Sequence, residues 1–205
     1  MNPGPPPCQG DALPPELPAL IQYFNLVIFK VNVNFAGDGR EIMKNIKVRN
    51  VQGDDFLKIA ELAEKCSSIT KEKNSIYHMF TKFFRNTSFI VKDSAEKGVL
   101  GFLLGFISPV DPNNAYIHIL CVKPGFGKEN IATHLLQSFF EVLRDKGCRK
   151  VYLLTKPRNK VAVSFYKTLG FKEYENDKTI AIDGLNIIRN YNGPGEHRVV
   201  FFKII

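Results

Sequence analysis

The chain is poor in everything that marks a metal site or a disulfide framework. Its four cysteines, Cys8, Cys66, Cys121 and Cys148, include no C-x-x-C pair, and the histidines at 78, 118, 134 and 197 fall at no zinc-binding spacing. The expectation is therefore no metal and reduced thiols, as in a cytoplasmic protein. Cys66 and Cys121 read as packing residues. Long apolar runs are also missing. P-A-L-I-Q-Y-F-N-L-V-I-F at 18–29 is too short and too polar to cross a bilayer, and Asp11 and Glu16 stand where a secretory signal carries positive charge. No membrane partner is expected. Charge is not gathered in blocks: 28 Lys and Arg against 20 Asp and Glu give +8, spread along the chain. That excess suits an anionic ligand, and equally a soluble basic surface. A nucleic-acid-binding domain needs a basic patch interleaved with exposed aromatics. Most phenylalanines here follow core periodicity instead, so no nucleic-acid partner is expected. Internal repeats are absent.

What is present is one domain's worth of ordinary globular sequence. A chain of 205 residues with 44% apolar content is long enough to bury a core. Seven of its twelve prolines fall in residues 1–18, which excludes regular structure there. L-V-I-F-K-V-N-V-N-F (26–35) alternates as an edge strand, and A-G-D-G (36–39) reads as a linker. Residues 1–42 are thus expected to be an arm outside the core domain, with Met43 as a possible natural start, and 45–205 the domain itself.

Within the domain the pattern is regular. I-K-V-R-N-V (46–51) reads as a strand. Asp54 or Asp55 caps a helix whose Phe56, Ile59, Leu62 and Ala63 share a face. N-S-I-Y-H-M-F-T-K-F-F (74–84) reads as a helix with Ile76, Met79, Phe80, Phe83 and Phe84 inward. Strands at 87–93 and 97–108 form a hairpin around S-A-E-K, and 115–122 is a third strand. A helix to about Lys146, a strand at 150–155 and a short helix from Asn159 to Gly170 follow. F-K-E-Y-E, T-I-A-I-D-G-L-N-I-I and H-R-V-V-F-F-K-I-I are strand-like. The fold class is mixed α/β.

V-K-P-G-F-G-K-E-N-I-A (122–132) joins the strand at 115–122 to the following helix. A dinucleotide-binding loop is one reading of its glycines. Against it, Asn130 takes the third glycine's place, and the next strand ends in Thr155-Lys156 with no acidic residue for a ribose hydroxyl. A plain strand-to-helix turn is the second. The third is capture of a pyrophosphate by loop N–H groups and the helix start.

Two separated motifs give the third reading its weight. Val122-Lys123-Pro124 with Gly127 to Ala132 is followed by N159-K-V-A-V-S-F-Y166-K-T-L-G170-F171. In residues, order and spacing this resembles the GNAT superfamily of acyl-CoA-dependent N-acetyltransferases, over about residues 45–205. The resemblance implies a central, mostly antiparallel mixed sheet flanked by helices, and acetyl-CoA as cosubstrate. It implies an acetyl group moved to a primary amine by direct attack, the acceptor being a small molecule or a protein amine. A non-catalytic acyl-CoA-binding module is the alternative. Gly127 stands where the family has Gln or Arg, and Asn130 where it has Gly. Asn tolerates left-handed backbone angles better than most residues.

By resemblance, the main chain of Leu120, Cys121 and Val122 binds the pantetheine arm and thioester. Gly127, Lys128, Asn130, Ile131, Ala132 and Thr133 form the pyrophosphate site, and Asn159 contacts the coenzyme as well as capping its helix. Tyr166 matches the general acid near the coenzyme sulfur. Many family members carry Glu at the position of Tyr116. Here His118, two residues on and expected on one strand face with Tyr116 and Leu120, is the candidate base. Arylalkylamine acetyltransferases of the superfamily have histidine at the matching position, and an imidazole suits amine deprotonation. Tyr77, Phe84 and residues 190–198 are candidates for acceptor contact. The apolar last strand is a candidate for adding to a partner's sheet in a homodimer.

Overall fold

The computed structural model describes residues 46–66, 73–93, 98–126 and 130–205. The Pro-rich arm, the strand expected at 26–35, the S-A-E-K turn, Gly127 and Lys128 lie outside these residues.

Thirteen helices and strands follow in order among them: β1 (Ile46–Asn50), α1 (Phe56–Lys65), α2 (Asn74–Phe83), β2 (Phe89–Asp93), β3 (Val99–Ile107), β4 (Asn114–Val122), α3 (Ile131–Asp145), β5 (Lys150–Thr155), α4 (Lys160–Thr168), β6 (Lys172–Glu173), β7 (Thr179–Ile182), β8 (Leu185–Ile188) and β9 (Val199–Ile204). Seven strands make one sheet in the order β1-β2-β3-β4-β5-β9-β6. Every neighbouring pair is antiparallel except β4–β5. α3 supplies the crossover that a parallel pair requires. The expected mixed, mostly antiparallel sheet flanked by helices is the architecture observed.

The two faces have separate cores. α3 and α4 cover one, where Leu135, Leu136, Phe139 and Leu143 pack with Val163, Tyr166, Val151, Leu153 and Phe201. Each fully buried side chain of this size stabilises by roughly 2 kcal/mol. α1 and α2 cover the other, with Ile59, Leu62, Phe80, Phe102, Leu104, Ile119 and Cys121. β5, β9 and β6 extend the sheet past α1 and α2, which leaves Tyr152 and Phe202 side by side at 6.3 Å and only half-buried.

Local chemistry explains the element ends. Asp55 closes the turn before α1 by accepting from the Gln52 backbone N–H at 2.8 Å. It also takes two bonds from Arg49, at 2.8 and 2.9 Å, and one from Lys92 at 3.2 Å. The Asn159 side chain accepts from Ala162 N–H at 3.2 Å, the expected cap of α4. Gly170, at φ 78°, ends α4 while Phe171 N–H bonds back to the Tyr166 carbonyl at 3.0 Å.

Four expectations are corrected. α2 buries Tyr77, Phe80 and Thr81 and leaves Met79 and Phe83 exposed, so Tyr77, only 3% accessible, is core rather than an acceptor contact. T-I-A-I-D-G-L-N-I-I is a hairpin, β7–β8, turning at Asp183-Gly184 with both φ angles positive. β9 lies between β5 and β6 and is not an edge, so its backbone is taken within the chain. Finally, Cys66 at the end of α1 and Cys121 on β4 form a disulfide, with Cα atoms 6.5 Å apart. The thiols expected to be reduced are paired because the fold brings together residues 55 apart in sequence. No helix among the described residues is long and apolar enough to cross a membrane.

Candidate active site

The centre of the molecule is an interruption in its own sheet. β4 and β5 pair only from Asn114↔Lys150 to Ile117↔Leu153. From Ile119 to Val122, β4 stays paired with β3, while its ladder with β5 has already ended. β5 meanwhile continues along β9 to Thr155↔Val199. The strands therefore part into a wedge, and the backbone groups of Leu120 and Val122, which point away from β3, face it.

A bulge on β4 marks the point of parting. On the β3 side Gly105 faces Ile117 and Leu104 faces Ile119, so His118 is the extra residue. A one-residue slip exchanges faces. Before the bulge, Ala115 and Ile117 enter the α3–α4 core; after it, Ile119 and Cys121 enter the α1–α2 core. Tyr116 and His118 face the α1–α2 side, where His118 stacks on Phe80 and lies 6.2 Å from Tyr116. Leu120 and Val122 pack against the α3–α4 core. Leu120 is thus not on the face of Tyr116 and His118, contrary to the alternation read from the sequence.

Tyr166 approaches from the face opposite His118. It is 8% accessible, ringed by Phe165, Phe171 and Phe201 at 5.4–5.9 Å, and shares its core with Leu120 and Val122. Burial pushes its hydroxyl well above the ordinary tyrosine range, and Tyr116 adds to the rise. Tyr166 therefore keeps its proton throughout the neutral range.

The mouth of the wedge carries the strand-to-helix loop. Gly125 is at φ 91°, and Asn130 precedes α3 in the left-handed conformation at φ 54° and ψ 17°. The expected backbone habit of Asn130 is what is found. Ile131 begins α3 fully buried, and Ala132 and Thr133 follow half-buried on its first turn. The close fit is made by Gly101 of β3, where an added Cβ would meet Ile131 Cγ2 at 2.7 Å.

On the α1–α2 side, past the end of those helices, the sheet opens into a cavity of about 460 Å³. Phe106, Tyr116, Tyr152, Tyr174 and Tyr191 form most of its wall. Tyr191 lies in the expected acceptor segment 190–198. Phe84 instead packs on Phe80 and Phe106. Sequence reading passed over Tyr152 and Tyr174. The signal for Tyr152 was the alternation K-V-Y-L-L-T, which sets it opposite Val151 and Leu153. His78 rests against Phe56, and His197 accepts from the Asn190 backbone N–H at 3.0 Å, so neither joins the site.

The profile of the Acetyltransferase (GNAT) family matches residues 56–171. N-alpha-acetyltransferase 30 of Schizosaccharomyces pombe is 25% identical over 138 residues, 62% of this chain and 89% of its own length. An uncharacterized N-acetyltransferase of Methanocaldococcus jannaschii is 30% identical over 156 residues, 69% of this chain and 67% of its own. Among solved structures, diaminobutyrate acetyltransferase EctA from Paenibacillus lautus, in complex with L-2,4-diaminobutyric acid and coenzyme A, shares the fold. Its TM-score is 0.59 at 17% identity, over 78% of this chain and 94% of its own.

Proposed function

The chain belongs to the GNAT acetyltransferase family and is an acetyl-CoA-dependent N-acetyltransferase; from that premise we propose that it works by direct attack of an amine across the β4–β5 wedge. The observation that carries this reading is the parting of the two strands beyond Ile117↔Leu153, which leaves β4 backbone groups facing an open wedge. Acetyl-CoA supplies, when bound, an acetyl thioester poised for attack. The residues present fit it. Small or left-handed positions at Gly125, Asn130 and Ala132 let backbone N–H groups approach a diphosphate at the start of α3, where the helix dipole favours negative charge. Gly127 and Lys128 belong to the same proposed loop. The Asn159 side-chain oxygen is committed to Ala162, so its amide nitrogen is the group assigned to the coenzyme.

The chemistry divides between the two faces. The acceptor enters through the tyrosine-walled cavity, and His118 takes the amine proton directly or through a water. Backbone N–H groups of Leu120 and Val122, which point away from β3, hold the arm and stabilise the charge developing on the carbonyl oxygen, while that of Cys121 between them is turned to β3. Tyr166, held protonated by burial, gives its proton to the departing sulfur. No covalent bond to the protein is needed.

The test is titration calorimetry with acetyl-CoA, using NADPH as control, followed by an amine screen that reads release of free coenzyme A. Micromolar binding of acetyl-CoA alone, with amine-dependent release, is expected. Equal binding of NADPH, or release independent of added amine, would reject the mechanism.

A further inference from the structure

The segment 190–198 joins the tyrosine-walled cavity to a group of cations. Its Tyr191 stands in the cavity wall, and so does Val200 on the strand that follows. The segment is braced from within. The Asn190 side-chain oxygen accepts from Gly195 N–H at 2.9 Å, and Glu196 N–H donates to the Gly193 carbonyl at 3.0 Å. Val199 enters the α3–α4 core while Val200 lines the cavity, so alternation returns Arg198 to the cavity's face. On β5, where Leu154 faces Val200 and Thr155 faces Val199, the same alternation leads from Tyr152 and Leu154 on to Lys156. Lys156 follows the end of β5, two residues past Leu154 and about 7 Å further along the strand, where β4 has already parted from it. Arg198 is fixed, with 11% of its side chain accessible; it donates to the His197 carbonyl at 2.8 Å and to the Glu196 carboxylate at 2.5 Å. Glu196 is exposed. The hydrogen bond and charge of Arg198 hold its carboxyl below the ordinary range, and Lys156 and Arg158 act on it in the same direction. Three cations thus gather about one exposed carboxylate.

We propose that Lys156, Arg158 and Arg198 select an acceptor that carries a carboxylate a few bonds from its amine, and that Glu196 holds the place this carboxylate takes. The cavity and the cations divide the recognition. Among the described residues lining the cavity there is no Asp, Glu, Lys or Arg, so it takes the uncharged part of the acceptor. A second ammonium group on the acceptor would meet the three cations as like charge, which disfavours diamines. An incoming carboxylate exchanges with Glu196, one exposed ion pair for another, so the net gain comes from the cations in excess and is modest.

The inference rests on the catalytic reading above and leaves its chemistry as it stands. The acceptor nitrogen bonds to the acetyl carbon, the carbon–sulfur bond breaks, and a proton passes by way of the protein from the nitrogen to the departing sulfur. What the cations add is the choice of acceptor.

The experiment titrates the full-length protein with matched acceptors by calorimetry, then assays each for release of coenzyme A from acetyl-CoA. One pair is the peptide amide Met-Asp-Glu-Leu against Met-Asn-Gln-Leu, an amine of protein type. The other is γ-aminobutyrate against γ-aminobutyramide, a small one. In at least one pair the anionic member should bind about fivefold tighter, with a KM lower by the same factor, and added salt should shrink the preference. The double variant Lys156→Gln, Arg158→Gln should bring the two members level, and Glu196→Gln should widen the gap. Lys146→Gln, Arg149→Gln removes the same charge near the other end of β5 and should keep the preference, which separates local selection from the net charge of the protein. A neutral member equal or better in both pairs, no binding in either, or a preference that survives the loss of Lys156 and Arg158 would each overturn the proposal. Acetylation of the neutral members alone would overturn it and leave the catalytic reading intact. Charge-selective binding with no acetylation of any member would instead count against the catalytic reading.

Discussion

The imidazole of His118 lies 5.2 Å from the ring of Phe80, the two planes inclined by only 10°. Alternation with Tyr116 sets His118 toward α2, against the flat apolar wall of Phe80. His118→Ala is expected to lower kcat by about 10²-fold, within the usual range for a general base. The acid limb of the pH–rate profile should go with it, because the wild-type imidazole must be neutral to act. Phe80→Leu should keep that limb and shift only its amplitude. A profile unchanged in His118→Ala would leave the base to another group.

Tyr166→Phe removes one hydroxyl from a packed ring. Activity should fall by about 10²-fold, with little change in KM for acetyl-CoA. The loss should be uniform from pH 6 to 9, because burial holds the wild-type proton on. The sign of the stability effect follows. The unfolded chain releases this proton near the ordinary value of 10.0 and the folded one above it, so the tyrosine's contribution is whole below pH 10 and is lost as pH rises beyond. The difference in Tm between wild type and Tyr166→Phe, measured at pH 8 and pH 10.5, should move against the wild type at the higher pH.

Asn130 at φ 54° and Gly101 beneath Ile131 set where α3 begins. Asn130→Gly should bind acetyl-CoA as well as or better than wild type. Asn130→Val should lose affinity and about 1–2 kcal/mol of stability, the penalty of a left-handed β-branched residue. Gly101→Ala drives a methyl into Ile131 and should cost about 1–3 kcal/mol while weakening binding. Calorimetry on all three variants checks the order Gly, wild type, then Val and Ala.

The buried carboxylate of Asp55 carries the turn into α1. Burial alone would raise its pKa, but hydrogen bonds from Arg49, the Gln52 backbone and Lys92, with the Arg49 charge, hold it below the ordinary carboxylate range. A depressed pKa means stability that is present above the unfolded value and disappears as pH falls through the folded one. Asp55→Asn should therefore cost about 3 kcal/mol at pH 7, since it leaves Arg49 and Lys92 without their partner. The gap to wild type in urea unfolding should narrow toward pH 3.

Much of this was readable in the chain. The V-x-P loop, the asparagine cap and the Tyr166-to-Phe171 helix end are local devices, and local chemistry survives into the fold. The bulge was not readable. A-Y-I-H-I-L-C-V alternates without a break, and only pairing with β3 says that His118 is the extra residue. α2 misled for a related reason: apolar residues at 76, 77, 79, 80, 83 and 84 cover two faces, and contact with α1 and β3 chooses the one through Tyr77, Phe80 and Thr81. The cavity wall is drawn from segments scattered between residues 106 and 200, so no spacing announces it.

The disulfide lies beyond local reading for the same reason, and it supplies the last prediction. Closing a loop across a separation of 55 residues limits the unfolded chain. The chain-entropy argument puts the effect at about 4 kcal/mol for a loop of that length. The double variant Cys66→Ser, Cys121→Ser should therefore unfold at lower temperature than the oxidised wild type, and its Tm should be indifferent to reductant. The wild-type Tm should fall toward that of the variant when dithiothreitol is added. Cys148, buried on the far side of the sheet, serves as the control, because Cys148→Ser should leave the response to reductant intact. Should wild type and double variant melt together in the absence of reductant, the bond contributes nothing to the fold, and the hold of α1 on β4 would rest on the apolar core they share, Ile59, Leu62 and Ile119 included.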